Sequence, residues 1–220
     1  MATPCVAQDA VLDGYHRTVR DVFREAFDPD VRARVLVEPS FSPEFAVGLR
    51  RRGGHDVIFS LEPEKQLWGY SVVQLMKNGR ITVLSETKEN GLSDQVRKLE
   101  QSLPNDPRSI AIRRCERRID GPLADLIADD WKNSLREEGR WQAELGVDGV
   151  SYEFSMDAGT GGMTRSIWSP PASSFPGLLV SLSEGMSTYC RTRTAEDLAK
   201  LRSSAELIAS RIKEAQREGR

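Results

Sequence analysis

The chain has 220 residues, 39% of them hydrophobic and 29% charged, which is enough apolar mass for a sizeable core and lies well away from the signature of disorder. Thirty-one basic residues against 33 acidic ones give a net charge of −2 and a pI near 5.9, so no overall field draws in nucleic acid or an anionic membrane. No apolar run approaches the ~18 to 20 residues that cross a bilayer, which argues against a membrane span.

At the N-terminus, Ala2 to Ala10 reads as the end of a secretory signal, with small residues at Cys5 and Ala7 in cleavage-site spacing and a polar start after them. Residues 1–8 are therefore expected to be a flexible signal-peptide remnant, and 9–220 a single α+β domain. Cleavage after Ala7 removes Cys5 and leaves Cys115 and Cys190. An oxidising compartment would join such a pair as a disulfide; a reducing one would leave two small buried hydrophobes. The reading is periplasmic or secreted, with the cytoplasm as the alternative.

Val11, Tyr15, Val19, Val22 and Ala26 recur at spacings of three and four, so residues 9–27 are read as an amphipathic helix that Asp28-Pro29 stops. Its outer face carries Arg17, Arg20 and Arg24. Val31, Ala33, Val35 and Val37 then alternate in the period of a half-buried strand. Residues 43–51 are expected to form a short helix, followed by Gly53-Gly54 and antiparallel strands over 56–61, 66–76 and 80–85, the last two separated by the hairpin signal Asn78-Gly79. Residues 93–102 read as a helix, and 109–115 resumes the strand pattern.

Asp120 is placed to cap a helix with Pro122 in its first turn and Leu123, Ile127, Trp131 and Leu135 as a core stripe. Strands over 149–156 and 164–168 flank the loop Gly159-Thr160-Gly161-Gly162. Two closing helices are predicted, one over 176–190 and one capped by Thr194 with Leu198, Leu201, Ala205, Ile208 and Ile212 along one side. The fold expected is α+β, an antiparallel or mixed β-sheet packed against helices on one side and ending in a C-terminal helical hairpin that lies on the sheet or on the first helix.

No catalytic constellation is assembled in the sequence, and no catalytic role is assigned. His16 and His55 are the only histidines, and neither sits at the short paired spacing of a zinc motif, so neither metal nor cofactor is expected. A cysteine paired with His55 lacks a nucleophile context. The glycine loop lacks the lysine of a P-loop and joins strands. Asp56 closely follows the arginines at 50–52 and Glu116 interrupts those at 113, 114, 117 and 118, so both clusters read as solvated charge; no nucleic-acid partner is expected, and Asp120, Asp125, Asp129 and Asp130 are the expected counter-charges of the second cluster. Adjacent carboxylates such as Asp129-Asp130 and Glu137-Glu138 point in different directions on a helix and make poor acid/base pairs.

Trp131 is read as core, whereas Trp68, Trp141 and Trp168 lie beside turns. With Arg140, Gly161 and Gly162 they make the candidate binding surface, since tryptophan and arginine are enriched at interface hot spots. The function expected is therefore a non-enzymatic protein-binding protein, of inhibitor or immunity type, in the bacterial cell envelope. The alternative is a hydrolase or transferase whose residues, carboxylates or a Cys/His set, come from scattered elements.

Overall fold

The computed structural model describes residues 14–40, 42–68, 98, 101, 104, 106–137, 141, 149–157 and 162–218. Helix α1 covers 14–22, and a 3-10 turn, Arg24–Phe27, leads from it into the sheet. Strands β1 (Val31–Pro39), β2 (Phe45–Arg52), β3 (His55–Pro63), β4 (Ile112–Arg118), β5 (Val150–Met156) and β6 (Met163–Trp168) form one sheet in the order β4-β3-β2-β1-β5-β6. Every neighbouring pair is antiparallel. Helix α2 (Gly121–Arg136) separates β4 from β5, and α3 (Phe175–Thr192) and α4 (Ala195–Glu218) close the chain.

The caps legible in the sequence form as expected. Asp120 accepts from the Leu123 N–H at 2.9 Å, and Thr194 Oγ1 accepts from the Asp197 N–H at 3.0 Å, each satisfying an amide that the first helical turn leaves open. Helices α2 and α3 lie on one face of the sheet, burying Trp131, Ile127, Leu179 and Leu182 against Val35, Leu49, Ile58 and Phe154. Helix α4 packs across α2 and α3 through Leu201, Ala205, Ile208 and Ile212, so the C-terminal hairpin rests on the sheet through α3.

Helix α1 departs from the one-sided arrangement. It covers the opposite face, where Tyr15, Val19 and Phe23 pack on Leu36, Ala46, Phe59 and Leu61. A register shift between Val31 and Ala33 turns Val31 to the α1 side while Ala33, Val35 and Val37 face the other helices. With both faces of the central strands covered, the apolar positions stop alternating.

That double burial is why 45–52 is strand β2 instead of the expected helix. The run Phe45-Ala46-Val47-Gly48-Leu49 has no clean period of two because both its faces meet hydrophobic cores. Gly48 sits where a Cβ would come within 2.3 Å of the Ala33 carbonyl oxygen and 2.8 Å of the Phe59 ring, so only hydrogen fits between strands at that point. Gly53-Gly54 then makes the tight turn into β3. The next expected strand fails where it can be seen, since Gln66 and Leu67 lie outside any ladder and Trp68 is helical. The rest of that strand, the one over 80–85, the Asn78-Gly79 hairpin and most of the 93–102 helix lie outside the described residues, as do 1–8. Strand β4 starts at Ile112, three residues later than the sequence pattern suggests, because 107–109 coil into a 3-10 turn capped by Asp106.

Candidate functional site

Three strands carry polar side chains on the α1 side of the sheet where the helix no longer covers it. The pairing lines up Glu38, Ser151 and Trp168 in one row, Leu36, Glu153 and Ser166 in the next, and Arg34, Ser155 and Thr164 in a third. Leu36 lies under α1, whereas Ser166 and Thr164 on β6, the outer strand among the described residues, are exposed. A groove of about 530 Å³ results, lined by His16, Arg17 and Arg20 from the margin of α1 and by Glu38, Ser151, Glu153 and Ser166 from the sheet. His16 and Arg20 are four residues apart and thus share one side of the helix, with Arg17 beside them.

Two ion pairs tie the helix margin to the sheet. Glu38, with only 7% of its side chain exposed, holds His16 Nδ1 at 2.7 Å, while the imidazole keeps 43% of its surface open. The hydrogen bond to Glu38 raises the His16 pKa above its ordinary 6.5 despite the opposing effect of burial; Glu153 adds to the rise and Arg20 opposes it. Arg20 donates to Glu153, and Arg34 approaches the same carboxylate at 3.6 Å. Burial lowers the Arg34 pKa, and its guanidinium stacks 4.0 Å from the Phe27 ring centre. Arg17 makes no ion pair among the described residues and stands exposed at the rim.

Trp168 ends β6 in the same row as Glu38 and Ser151, half-buried. Its ring lies so close to the Gly149 backbone that a Cβ there would come within 2.8 Å of the indole. Gly149 is thus the seat on which the indole rests, as aromatic side chains shield glycines at sheet edges.

The other residues of the expected binding surface are dispersed. Trp68 packs edge-on against Tyr15, ring centres 4.9 Å apart, on the α1 side. Trp141 lies against Phe154 at 5.5 Å on the opposite side, with its Nε1–H on the Ser134 carbonyl oxygen at 2.9 Å. Gly162 is exposed just ahead of β6; Arg140 and Gly161 are outside the described residues. Of that set only Trp168 stands in register with a groove residue, Ser151.

Cys115 on β4 and Cys190 on α3 are joined, their Cα atoms 5.9 Å apart. Cys115 pairs with Ser60, five residues along β3 from His55, which puts ~17 Å of strand between the cysteine and that histidine. The structure therefore does not assemble the Cys/His set. Asp129 is exposed and Asp130 is buried, so that carboxylate pair does not converge either. Nor do the α2 acids serve the second arginine cluster as expected. Asp120 pairs with Arg202 at 2.7 Å and Asp125 with Arg32 at 3.1 Å, while Arg114 finds Glu25 at 2.5 Å and Arg113 finds Glu62 at 3.3 Å. Among the described residues no three His, Cys, Asp or Glu side chains gather as a metal site, and no helix is long and apolar enough to cross a membrane.

A second cavity, about 490 Å³, lies between the β3–β4 end and α3. Its two guanidinium groups are already held by Glu62, Arg191 at 2.6 Å and Arg113 at 3.3 Å. Of these two cavities, the groove beside α1 is the one with a guanidinium, Arg17, that makes no ion pair among the described residues. Sequence reading missed its His16–Glu38 and Arg20–Glu153 pairs because each joins elements that meet only in space. The one available signal was that Glu38 and Glu153 place carboxylates inside strand patterns. Comparison with family models, with curated proteins and with solved structures finds no match for this chain.

Proposed function

We propose that this chain is a non-enzymatic protein-binding protein, of inhibitor or immunity type, in the bacterial cell envelope, and that the groove beside α1 is its recognition site. The observation that carries the reading is the open groove bearing Arg17 and Arg20, with Trp168, seated on Gly149, paired in register with its Ser151. Tryptophan and arginine dominate binding hot spots because each brings a large contact area together with a polar handle. β6 is the outer strand of the sheet among the described residues, and an outer strand offers main-chain donors and acceptors to a partner. The Cys115–Cys190 linkage suits an oxidising compartment.

The test is quantitative capture from the native cells with the full chain, its Trp168→Ala variant and a control, Glu206→Gln, on the exposed side of α4. The proposal expects one protein recovered stoichiometrically with the wild type and the control and lost with W168A. Recovery of the bait alone, or equal recovery with all three, overturns it.

A hydrolase built from scattered residues is favoured by one observation: His16 has Nδ1 fixed on a buried carboxylate and shares the groove with the Ser151 and Ser166 hydroxyls. A base oriented by a third group beside a hydroxyl is the arrangement of nucleophilic hydrolases. Fluorophosphonate labelling at Ser151 or Ser166 that disappears in His16→Gln supports this reading; no labelling of the folded protein rejects it.

A further inference from the structure

We infer that the groove binds an acidic, extended segment of a partner protein, laid beside β6 with its carboxylates on Arg17, Arg20 and His16; this rests on the protein-binding reading. Three guanidinium groups, Arg17, Arg20 and Arg34, surround two carboxylates, Glu38 and Glu153, and His16 is already committed to Glu38. Glu153 is shared between Arg20 and Arg34, and Arg17 makes no ion pair among the described residues. Among the described residues the groove is therefore short of negative charge, in a chain whose net charge is −2. An acidic ligand completes it, and the overall charge disfavours a long polyanion.

The strand geometry gives the ligand its form. Ser166 and Thr164 point their hydroxyls to the α1 side, and Trp168 closes the row. A chain pairing with β6 would run ~4.8 Å outside it, with every second side chain on the groove side. A glutamate in that position faces Ser166 and, beyond it, the Arg20 and Arg17 guanidinium groups. An apolar residue one step along on the same side meets the Trp168 indole. Guanidinium and carboxylate can then pair in the two-pronged geometry that arginine favours.

The experiment titrates the isotope-labelled full chain with a capped hexapeptide of alternating Glu and Thr and follows the His16 ring, the Arg Nε signals and β6 amide exchange. The counterpart with Lys for Glu, inorganic tripolyphosphate and a single-stranded oligonucleotide are the comparison probes. Expected are saturable shifts at His16, Arg17 and Arg20, slowed exchange at β6 amides, no binding of the Lys peptide, and a loss of about tenfold in affinity in Arg17→Glu. Arg17 is the better probe because its replacement breaks no ion pair among the described residues; Arg20→Lys, which keeps the charge, should bind. Absence of saturable shifts overturns the inference, as does affinity unchanged in R17E. Tripolyphosphate matching the peptide without β6 protection makes the site a general anion site and also overturns it, and tighter oligonucleotide binding reassigns the groove to nucleic acid. If a captured protein partner is retained by both R17E and W168A, the groove assignment fails while protein binding stands. Peptide binding without any captured partner leaves the groove chemistry and removes the protein-binding reading.

Discussion

His16 and Asp130 show how differently one sheet-and-helix scaffold treats two ionisable side chains. His16 gains a carboxylate partner on folding, so its protonated form is favoured in the folded state. Its stabilising contribution is then complete below the unfolded value near 6.5 and fades as pH rises through the higher folded pKa. Because the imidazole is 43% exposed, the effect should stay below about 1 kcal/mol. NMR titration of the ring should give a pKa above 6.5 that falls back in Glu38→Gln; an unshifted histidine in the wild type contradicts the pair. Asp130 is 1% exposed, with Oδ2 lacking a hydrogen-bond partner among the described residues. Burial, with the neighbouring Asp129 charge, pushes its pKa up to about 8. The folded state therefore holds a proton that the unfolded chain releases near 3.8, and stability should fall as pH rises from there to about 8. Asp130→Asn should flatten that slope and stabilise the protein at pH 8 by on the order of 2 kcal/mol, read by denaturant unfolding at several pH values. At this scale the sequence revealed residue types but not partners. Trp168 and Trp141 both sit beside turns, yet only packing decides that the first rests on Gly149 and the second covers Phe154.

Among the elements, α1 depends most on a single residue. Glu44, fully buried ahead of β2, accepts from Tyr15 Oη at 2.8 Å, from the Leu67 N–H at 2.7 Å and from the Trp68 N–H at 3.0 Å. It thereby ties the helix to the residues that follow β3. Burial raises the pKa of both the Glu44 carboxyl and the Tyr15 phenol, the donors to Glu44 only partly offsetting its desolvation. Tyr15→Phe should cost about 1–2 kcal/mol and Glu44→Gln about 2–3 kcal/mol, with the double variant costing less than the sum because both act through one hydrogen bond. Additive losses in a double-mutant cycle contradict that coupling. The capped helices were legible in the sequence because Asp120 and Thr194 announce them and their apolar stripes keep one period. The β2 strand was not, since α1 and the other helices bury its two faces alike and erase the alternation. The side chosen by α1 was equally hidden, for its stripe states that one face is buried but not against what.

For the whole molecule, the Cys115–Cys190 linkage fastens strand β4 to α3 across 75 residues of sequence. Closing a loop of that length stabilises by about 4 kcal/mol in the chain-entropy model. The Cys115→Ser/Cys190→Ser double variant should lose that amount in denaturant unfolding, and reduction should reproduce the loss in the wild type but change nothing in the variant. Equal stability of the reduced and oxidised chains contradicts the role. The α+β class and the C-terminal hairpin were readable from periodicity and caps, whereas the groove was not, because its walls come from residues near 16, 38, 153 and 166 and no local pattern spans them. Binding at this groove is the claim on which the functional account turns. The most direct measurement places a photo-crosslinking amino acid at Ser166 of the full chain, and in a parallel variant at Glu206, in the native cells. One discrete crosslinked protein is expected from position 166 and none from 206. No adduct at 166, or the same adducts from both positions, would contradict it.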